Sequence, residues 1–152
     1  MSDLVEIRWH GRGGQGAVTA SELLAEAALH EGKYFQAFPD YGPERMGAPI
    51  RAYTRISSSP IRQHNQITEP DAVVVLDPTL LGVVDFAEGI EDGGLLLVNT
   101  PLSPSELRKE LGFDKGKVFT VDATRVALDS MKRNITNTPM IGALLRALEV
   151  VN

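Results

Sequence analysis

The 152-residue sequence predicts an α/β fold: three layers, α/β/α, built on a mixed, mostly parallel open sheet in which one strand runs antiparallel. Three observations carry that prediction. Residues 72–76 and 95–98 are short, unbroken apolar runs, the pattern of strands buried on both faces. Capped helix signals alternate with such strands through the second half of the chain, as in a parallel sheet covered by crossovers. In the first half, two strand-like segments, 34–38 and 48–56, have no helix between them. A hairpin-like antiparallel pairing follows, because a parallel connection needs a crossover.

Residues 4–9 alternate Leu4, Glu6 and Arg8 against Val5, Ile7 and Trp9, which reads as a first strand with one face in the core. Gly11 to Gly16, Gly-Arg-Gly-Gly-Gln-Gly, breaks it. The period then becomes helical over 17–31. Ala20, Leu24, Ala27 and Ala28 form the inner stripe, Glu22, Glu26 and His30 the solvated one, and Gly32 is the stop. Residues 34–38 form a second strand. The segment 39–47 has too many prolines and glycines for a regular element. In 48–56, Ile50, Ala52, Thr54 and Ile56 oppose Arg51, Tyr53 and Arg55. Residues 57–60 are a polar break, and 61–68 leave room for a helical turn or two. Asp77-Pro78 pairs a capping residue with proline at the first helical position, so a helix is expected there. Gly93-Gly94 turns the chain into the strand at 95–98. Ser103-Pro104-Ser105-Glu106 is a capping box, opening a helix that runs to about Leu111 and stops at Gly112. A strand at 117–121 ends at Asp122, and a helix spans 123–132. Thr138-Pro139 opens the last helix, with Met140, Ala143, Leu144, Ala147, Leu148 and Val151 at helical spacing up to the final residue.

Composition narrows the function. The chain is 43% apolar and 23% charged with a net charge of −5, which fits one globular domain over 1–152 and gives no basic footprint for nucleic acid. With no cysteine there are no disulfides and no thiolate ligands for a zinc or iron–sulfur site. His10, His30 and His64 are far apart and lack metal-site spacing. No signal-peptide pattern and no membrane-length apolar run occurs, so a cytoplasmic location is expected.

In an open α/β sheet the ligand edge lies beyond the carboxyl ends of the parallel strands. Here that edge holds the glycine loop, Asp77, Asn99 with Thr100, and Asp122. Gly11, Gly13 and Gly16 satisfy the Gly-x-Gly-x-x-Gly pattern of a Rossmann-like phosphate loop, with a strand before and a helix after. Backbone amides at a helix N-terminus favour an anion, and Arg12 adds positive charge. The acidic residue that would bind a ribose at the end of the second strand is missing, because Phe38-Pro39-Asp40 places a proline there. No Walker-type Gly-Lys-Ser/Thr follows either. Close helix–sheet packing accounts for one glycine and poorly for four, so contact with a ligand or partner chain is the stronger reading. In the 40–47 loop, Tyr41, Arg45 and Met46 are typical interface residues. Asp77 and Asp122 read as helix caps, and His10 as a hydrogen-bonded strand-end residue. No catalytic triad, carboxylate pair or metal cluster stands out, so the chain does not read as a complete enzyme.

Three ordered motifs then resemble one family. Gly11–Gly16, the run Tyr41-Gly42-Pro43-Glu44-Arg45-Met46-Gly47-Ala48-Pro49, and Asn137-Thr138-Pro139-Met140-Ile141-Gly142-Ala143 are similar to the gamma subunit of the 2-oxoacid:ferredoxin oxidoreductases, and the resemblance covers essentially the whole chain. Gly47-Ala48-Pro49 resembles the pyruvate and branched-chain oxoacid members. The resemblance implies a subunit of an enzyme that oxidatively decarboxylates a 2-oxoacid, forms an acyl-coenzyme A and passes electrons to ferredoxin. It implies alpha, beta and delta partner subunits. Thiamine diphosphate sits between alpha and beta, and iron–sulfur clusters sit mainly in delta. Gamma assists coenzyme A binding and assembly and is inactive alone. Carried onto this chain, Gly11, Arg12, Gly13, Gly14, Gln15, Gly16 and Arg45 are the expected coenzyme A contacts. Tyr41, Gly42, Pro43, Glu44, Met46, Asn137, Thr138 and Pro139 are the expected partner contacts. Whether the glycine loop meets coenzyme A or a neighbouring subunit stays open. Family members continue past the last helix, so the chain is expected to be short at its C-terminus. The competing expectation is a free-standing Rossmann-type dinucleotide-binding oxidoreductase.

Overall fold

A computed structural model describes residues 3–40 and 46–151. In chain order these form β1 (Val5–Arg12), α1 (Ala17–His30), β2 (Tyr34–Pro39), β3 (Pro49–Ser57), β4 (Ala72–Val75), β5 (Leu95–Asn99), α2 (Pro104–Leu111), β6 (Lys117–Val121), α3 (Ala123–Met131) and α4 (Asn137–Ala147). The strands make one sheet in the order β2-β3-β1-β4-β5-β6. β3 runs antiparallel to both of its neighbours, while β1, β4, β5 and β6 pair in parallel. The mixed sheet with a single reversed strand is as expected.

Strand alternation sorts the apolar side chains into two cores. Ile7, Trp9, Val74, Leu76, Leu95 and Leu97 face α1 and α4, meeting Ala20, Leu24, Met140 and Leu144. Val73, Val75, Leu96 and Val98 face the other way, onto Leu80, Phe86, Ile90, Leu107 and Phe113. The indole of Trp9 keeps its hydrogen bond inside the first core by donating to Thr54 Oγ1 at 3.0 Å.

The α2 and α3 signals hold closely. Ser103 Oγ accepts from Glu106 N–H at 3.2 Å and donates to Glu106 Oε1 at 2.9 Å, and Gly112 ends the helix in the left-handed region. Asp122 accepts from Arg125 N–H at 3.1 Å.

Four expectations change. Residues 61–68 hold no helical turn. Asp77-Pro78 opens only a short 3-10 turn, Pro78–Gly82, in which Asp77 accepts from Thr79 N–H, so the β4–β5 crossover has no α-helix. The last helix ends at Ala147. Leu148 is extended, and Val150 and Val151 bury themselves without helical geometry, so their helical spacing was coincidental. That helix also begins one residue earlier than Thr138-Pro139. Finally, β1 is buried on both faces rather than one: Arg8 and His10 are each 1% exposed, as are Tyr53 and Arg55 of the adjoining β3, beneath segments 61–71 and 82–90. No helix of the described residues is long and apolar enough to cross a membrane.

Candidate functional site

β1 and β4 are parallel neighbours whose chains leave in opposite directions. β1 feeds α1 on the Trp9 face, and β4 feeds the 78–94 segment on the Val73–Val75 face. Such a switch point opens a crevice beyond the strand ends. The glycine loop lies at its mouth. A cleft of about 200 Å³ follows, lined in part by Gly14, Gln15, Asp77, Asn99, Thr124 and Thr136.

The loop's shape is set by glycine and by one carboxylate. Gly14 and Gly16 have φ of +91° and +82°, a region costly for residues with a Cβ. A methyl group on Gly14 would overlap the Met46 sulfur, and one on Gly16 would lie 2.7 Å from Asn137 Nδ2. Gln15 then ties the turn together. Its Oε1 accepts from Arg12 N–H at 2.7 Å, and its Nε2 donates to Asp77 Oδ2 at 2.7 Å. Asp77 also accepts from Thr79 N–H at 2.9 Å and Thr79 Oγ1 at 2.7 Å, and Arg12 Nε stands 3.3 Å from Asp77 Oδ2. Burial pushes the Asp77 carboxyl up, but the Thr79 and Gln15 hydrogen bonds, with the Arg12 charge, outweigh it and hold the group below its ordinary value.

Arg12 is therefore committed within the chain. Besides Asp77, its guanidinium reaches Thr79 Oγ1 at 2.9 and 3.1 Å and Gly47 O at 3.1 Å. The loop amides are divided. Arg12 N–H is spent on Gln15, Gly13 N–H on Ala48 O at 2.9 Å, and Gln15 N–H on Arg12 O at 3.1 Å. Among the described residues, Gly14 N–H and Gly16 N–H have no such partner. Gly16, the N-cap of α1, has no side chain to offer, so among the described residues the Ala17, Val18 and Thr19 N–H groups also have no partner.

The expected site residues thus gather in large part. Gly11 through Gly16 form one turn at the cleft. Met46, 86% exposed, lies over Gly14, and Gly47 N–H donates to Gly13 O at 3.1 Å. Asn137 abuts Gly16, while Thr138 is exposed and Pro139 half-buried beside it. Tyr41, Gly42, Pro43, Glu44 and Arg45 lie outside the described residues. Thr79, Thr124 and Thr136 escape the sequence reading. Thr79 follows Asp77-Pro78 at the spacing of a capping turn, a signal that was available. Thr136 was masked by the stronger-looking Asn137-Thr138-Pro139.

His10 takes no part in acid–base chemistry. It is 1% exposed and its Nε2 accepts from Arg8 Nε at 2.9 Å. Burial, then the Arg8 and Arg51 charges, push its pKa down to about 3, so it is neutral at physiological pH. The ribose-binding geometry of a dinucleotide fold is also missing. β3 occupies the place beside β1, which moves the end of β2 one strand away from the glycine loop.

The chain matches the family model described as "Pyruvate ferredoxin/flavodoxin oxidoreductase" over residues 6–152. It is 54% identical over 148 residues to the pyruvate/ketoisovalerate oxidoreductases common subunit gamma of Thermococcus kodakarensis, covering 97% of this chain and 80% of that one. The crystal structure of pyruvate oxidoreductase subunit PORC from Thermotoga maritima superposes with a TM-score of 0.86 at 51% identity, covering 99% of this chain and 79% of that one. A 2-oxoglutarate:ferredoxin oxidoreductase from Magnetococcus marinus, solved with 2-oxoglutarate, coenzyme A and succinyl-CoA, contains the same fold. Its TM-score is 0.78 at 19% identity, over 99% of this chain and 25% of that one. The family match over nearly the whole length, together with these identities, establishes that the chain belongs to the pyruvate ferredoxin/flavodoxin oxidoreductase family.

Proposed function

We propose that this chain is the gamma subunit of a multi-subunit pyruvate or 2-oxoacid:ferredoxin oxidoreductase, and that its part is to help seat coenzyme A, the acyl acceptor. The enzyme decarboxylates the oxoacid oxidatively, transfers the acyl group to the coenzyme A thiol and passes the electrons to ferredoxin. Thiamine diphosphate and the iron–sulfur clusters belong to the alpha, beta and delta partners. This sequence has no cysteine with which to ligate a cluster. The isolated chain is accordingly inactive.

One observation carries the acceptor role. The glycine loop sits at the topological switch point with the Gly14 and Gly16 amides and the Ala17, Val18 and Thr19 amides of α1 unclaimed among the described residues. Arg12 supports this as a scaffold, through Asp77 and Thr79, rather than as a free cation. In this reading Arg45 joins the coenzyme A contacts, while Tyr41, Gly42, Pro43, Glu44, exposed Met46, Asn137, Thr138 and Pro139 contact the partner subunits.

Gly14→Ala in the assembled enzyme tests it, with Met46→Ala as the control for displacing the methionine. The apparent KM for coenzyme A is expected to rise while the KM for the oxoacid and assembly by native mass spectrometry stay unchanged. An unaltered KM for coenzyme A with normal assembly overturns the acceptor role.

A further inference from the structure

Asp77 reads in the sequence as a helix cap, yet the turn it opens is a 3-10 turn of only five residues. Its carboxylate is shared between two segments. Oδ1 accepts from Thr79 N–H at 2.9 Å and from Thr79 Oγ1 at 2.7 Å. Oδ2 accepts from Gln15 Nε2 at 2.7 Å and lies 3.3 Å from Arg12 Nε. One side chain therefore ties the end of β4 to the glycine loop that follows β1. Against the upward push of burial, the Thr79 and Gln15 hydrogen bonds and the Arg12 charge keep the carboxyl below its ordinary pKa, so it is ionised at neutral pH.

The carboxylate also decides which way round the Gln15 side chain lies. An ionised carboxylate only accepts, so the amino end of the Gln15 amide must face Asp77. That leaves the carbonyl end for the loop, where Oε1 accepts from Arg12 N–H at 2.7 Å. Gln15 N–H donates back to Arg12 O at 3.1 Å, which closes residues 12–15 into a turn from both ends. Gly14 lies inside that turn with φ of +91°. Glycine left to itself samples many backbone shapes, and fixing one beforehand lowers the cost of binding.

We infer that Asp77 is the positioning residue of the glycine loop: by accepting from Gln15 it fixes the side-chain amide that holds the turn presenting the Gly14 and Gly16 amides. Arg12 adds a second tie, donating to Thr79 Oγ1 and to Gly47 O. Asp77 acts through Gln15 rather than on a ligand. That the loop so held serves coenzyme A rests on the acceptor role proposed above; the clasp does not.

Exchanging the two functional groups breaks and then restores this polarity. In Asp77→Asn, an amide that keeps its oxygen on Thr79 turns its own donor toward the Gln15 donor. In Gln15→Glu, two carboxylates meet at the same contact. In the double variant, the amide at position 77 donates to the carboxylate at position 15, which still accepts from Arg12 N–H. Hydrogen exchange of the Arg12 amide in the full chain reads the clasp directly. It is expected to quicken about tenfold in either single variant, the worth of one good hydrogen bond, and to return to the parent rate in the double. In the assembled enzyme, the KM for coenzyme A is expected to rise about tenfold in each single variant and recover in the double. The kcat and the KM for the oxoacid are expected to stay unchanged. Unaltered Arg12 exchange in Asp77→Asn, or a double variant worse than either single one, overturns the inference. The two readings fail separately. If Gly14→Ala raises the KM for coenzyme A and Asp77→Asn does not, the positioning role falls alone. If Arg12 exchange follows the swap and no variant, Gly14→Ala included, changes that KM, the clasp stands and the acceptor role falls.

Discussion

The two halves of the sheet bury their second face by different means. Under β4, β5 and β6 the cover is apolar: Val73, Val75, Leu96 and Val98 against Leu80, Phe86, Leu107 and Phe113. Under β1, β2 and β3 it is arginine. Arg8 Nη2 donates to Phe86 O at 3.0 Å and Glu88 O at 2.7 Å. Arg55 reaches Glu6 at 2.7 Å, Gln36 at 3.2 Å and Asn65 O at 2.8 Å, with its guanidinium 5.6 Å from the Phe38 ring centroid. Irregular segments over a sheet bring carbonyl groups that no ladder satisfies. A guanidinium offers five donors in a fixed fork, so one side chain can satisfy several such carbonyls. Buried arginine here does the work that a covering helix does elsewhere.

The largest test of that contrast is Arg55→Ala against Leu97→Ala. Removing Arg55 strands Glu6 and the Asn65 carbonyl, at a cost of about 3–5 kcal/mol. Removing the Leu97 side chain leaves a cavity costing about 2–5 kcal/mol. The distinction lies in where the damage appears. Hydrogen exchange is expected to accelerate over 58–71 in Arg55→Ala, whereas Leu97→Ala lowers the urea midpoint without a local hot spot. If the two exchange maps coincide, the arginine cover is not what holds that segment.

Next in size is the pH response of the arginine half. The folded pKa of His10, about 3, lies below its ordinary value of 6.5, so between those values the unfolded chain binds more protons. The stability this contributes is fully present above pH 6.5 and falls as the pH drops toward 3. Urea midpoints measured from pH 7.5 to 4.5 are expected to decline, and His10→Gln, which keeps an acceptor for Arg8 without titrating, is expected to flatten the slope. An equal decline in both would place the response elsewhere.

The smallest test concerns the helix starts. Ser103→Ala removes a working cap and is expected to cost about 1 kcal/mol. Thr136→Ala removes a hydroxyl that caps nothing, so its thermal midpoint is expected to stay at the parent value. A clear loss in Thr136→Ala would show the hydroxyl to be structural after all.

Much of this architecture was legible because it is local. The Ser103–Glu106 capping box, the Gly112 stop, the unbroken Val73–Val75 and Leu95–Val98 runs and the glycine loop are short-range patterns that mean the same thing in most contexts. The reversed strand was legible too, since no helix fits between β2 and β3. The sequence by itself thus determined the elements, the mixed sheet and the loop at its edge. What it misread depended on distant partners. Alternation in β1 predicts one buried face, and nothing in Arg8 or Arg55 announces that residues 61–71 and 82–90 fold over them. Helical spacing at Leu148 and Val151 failed because tertiary burial rewarded an extended path. Only the tertiary structure decided that Arg12 would be spent on Asp77 and Thr79, and that Asp77 would bind Gln15 across the crevice. A hydrogen-bond donor is free or committed according to what lies within about 3 Å of it in space, and chain neighbours alone do not set that.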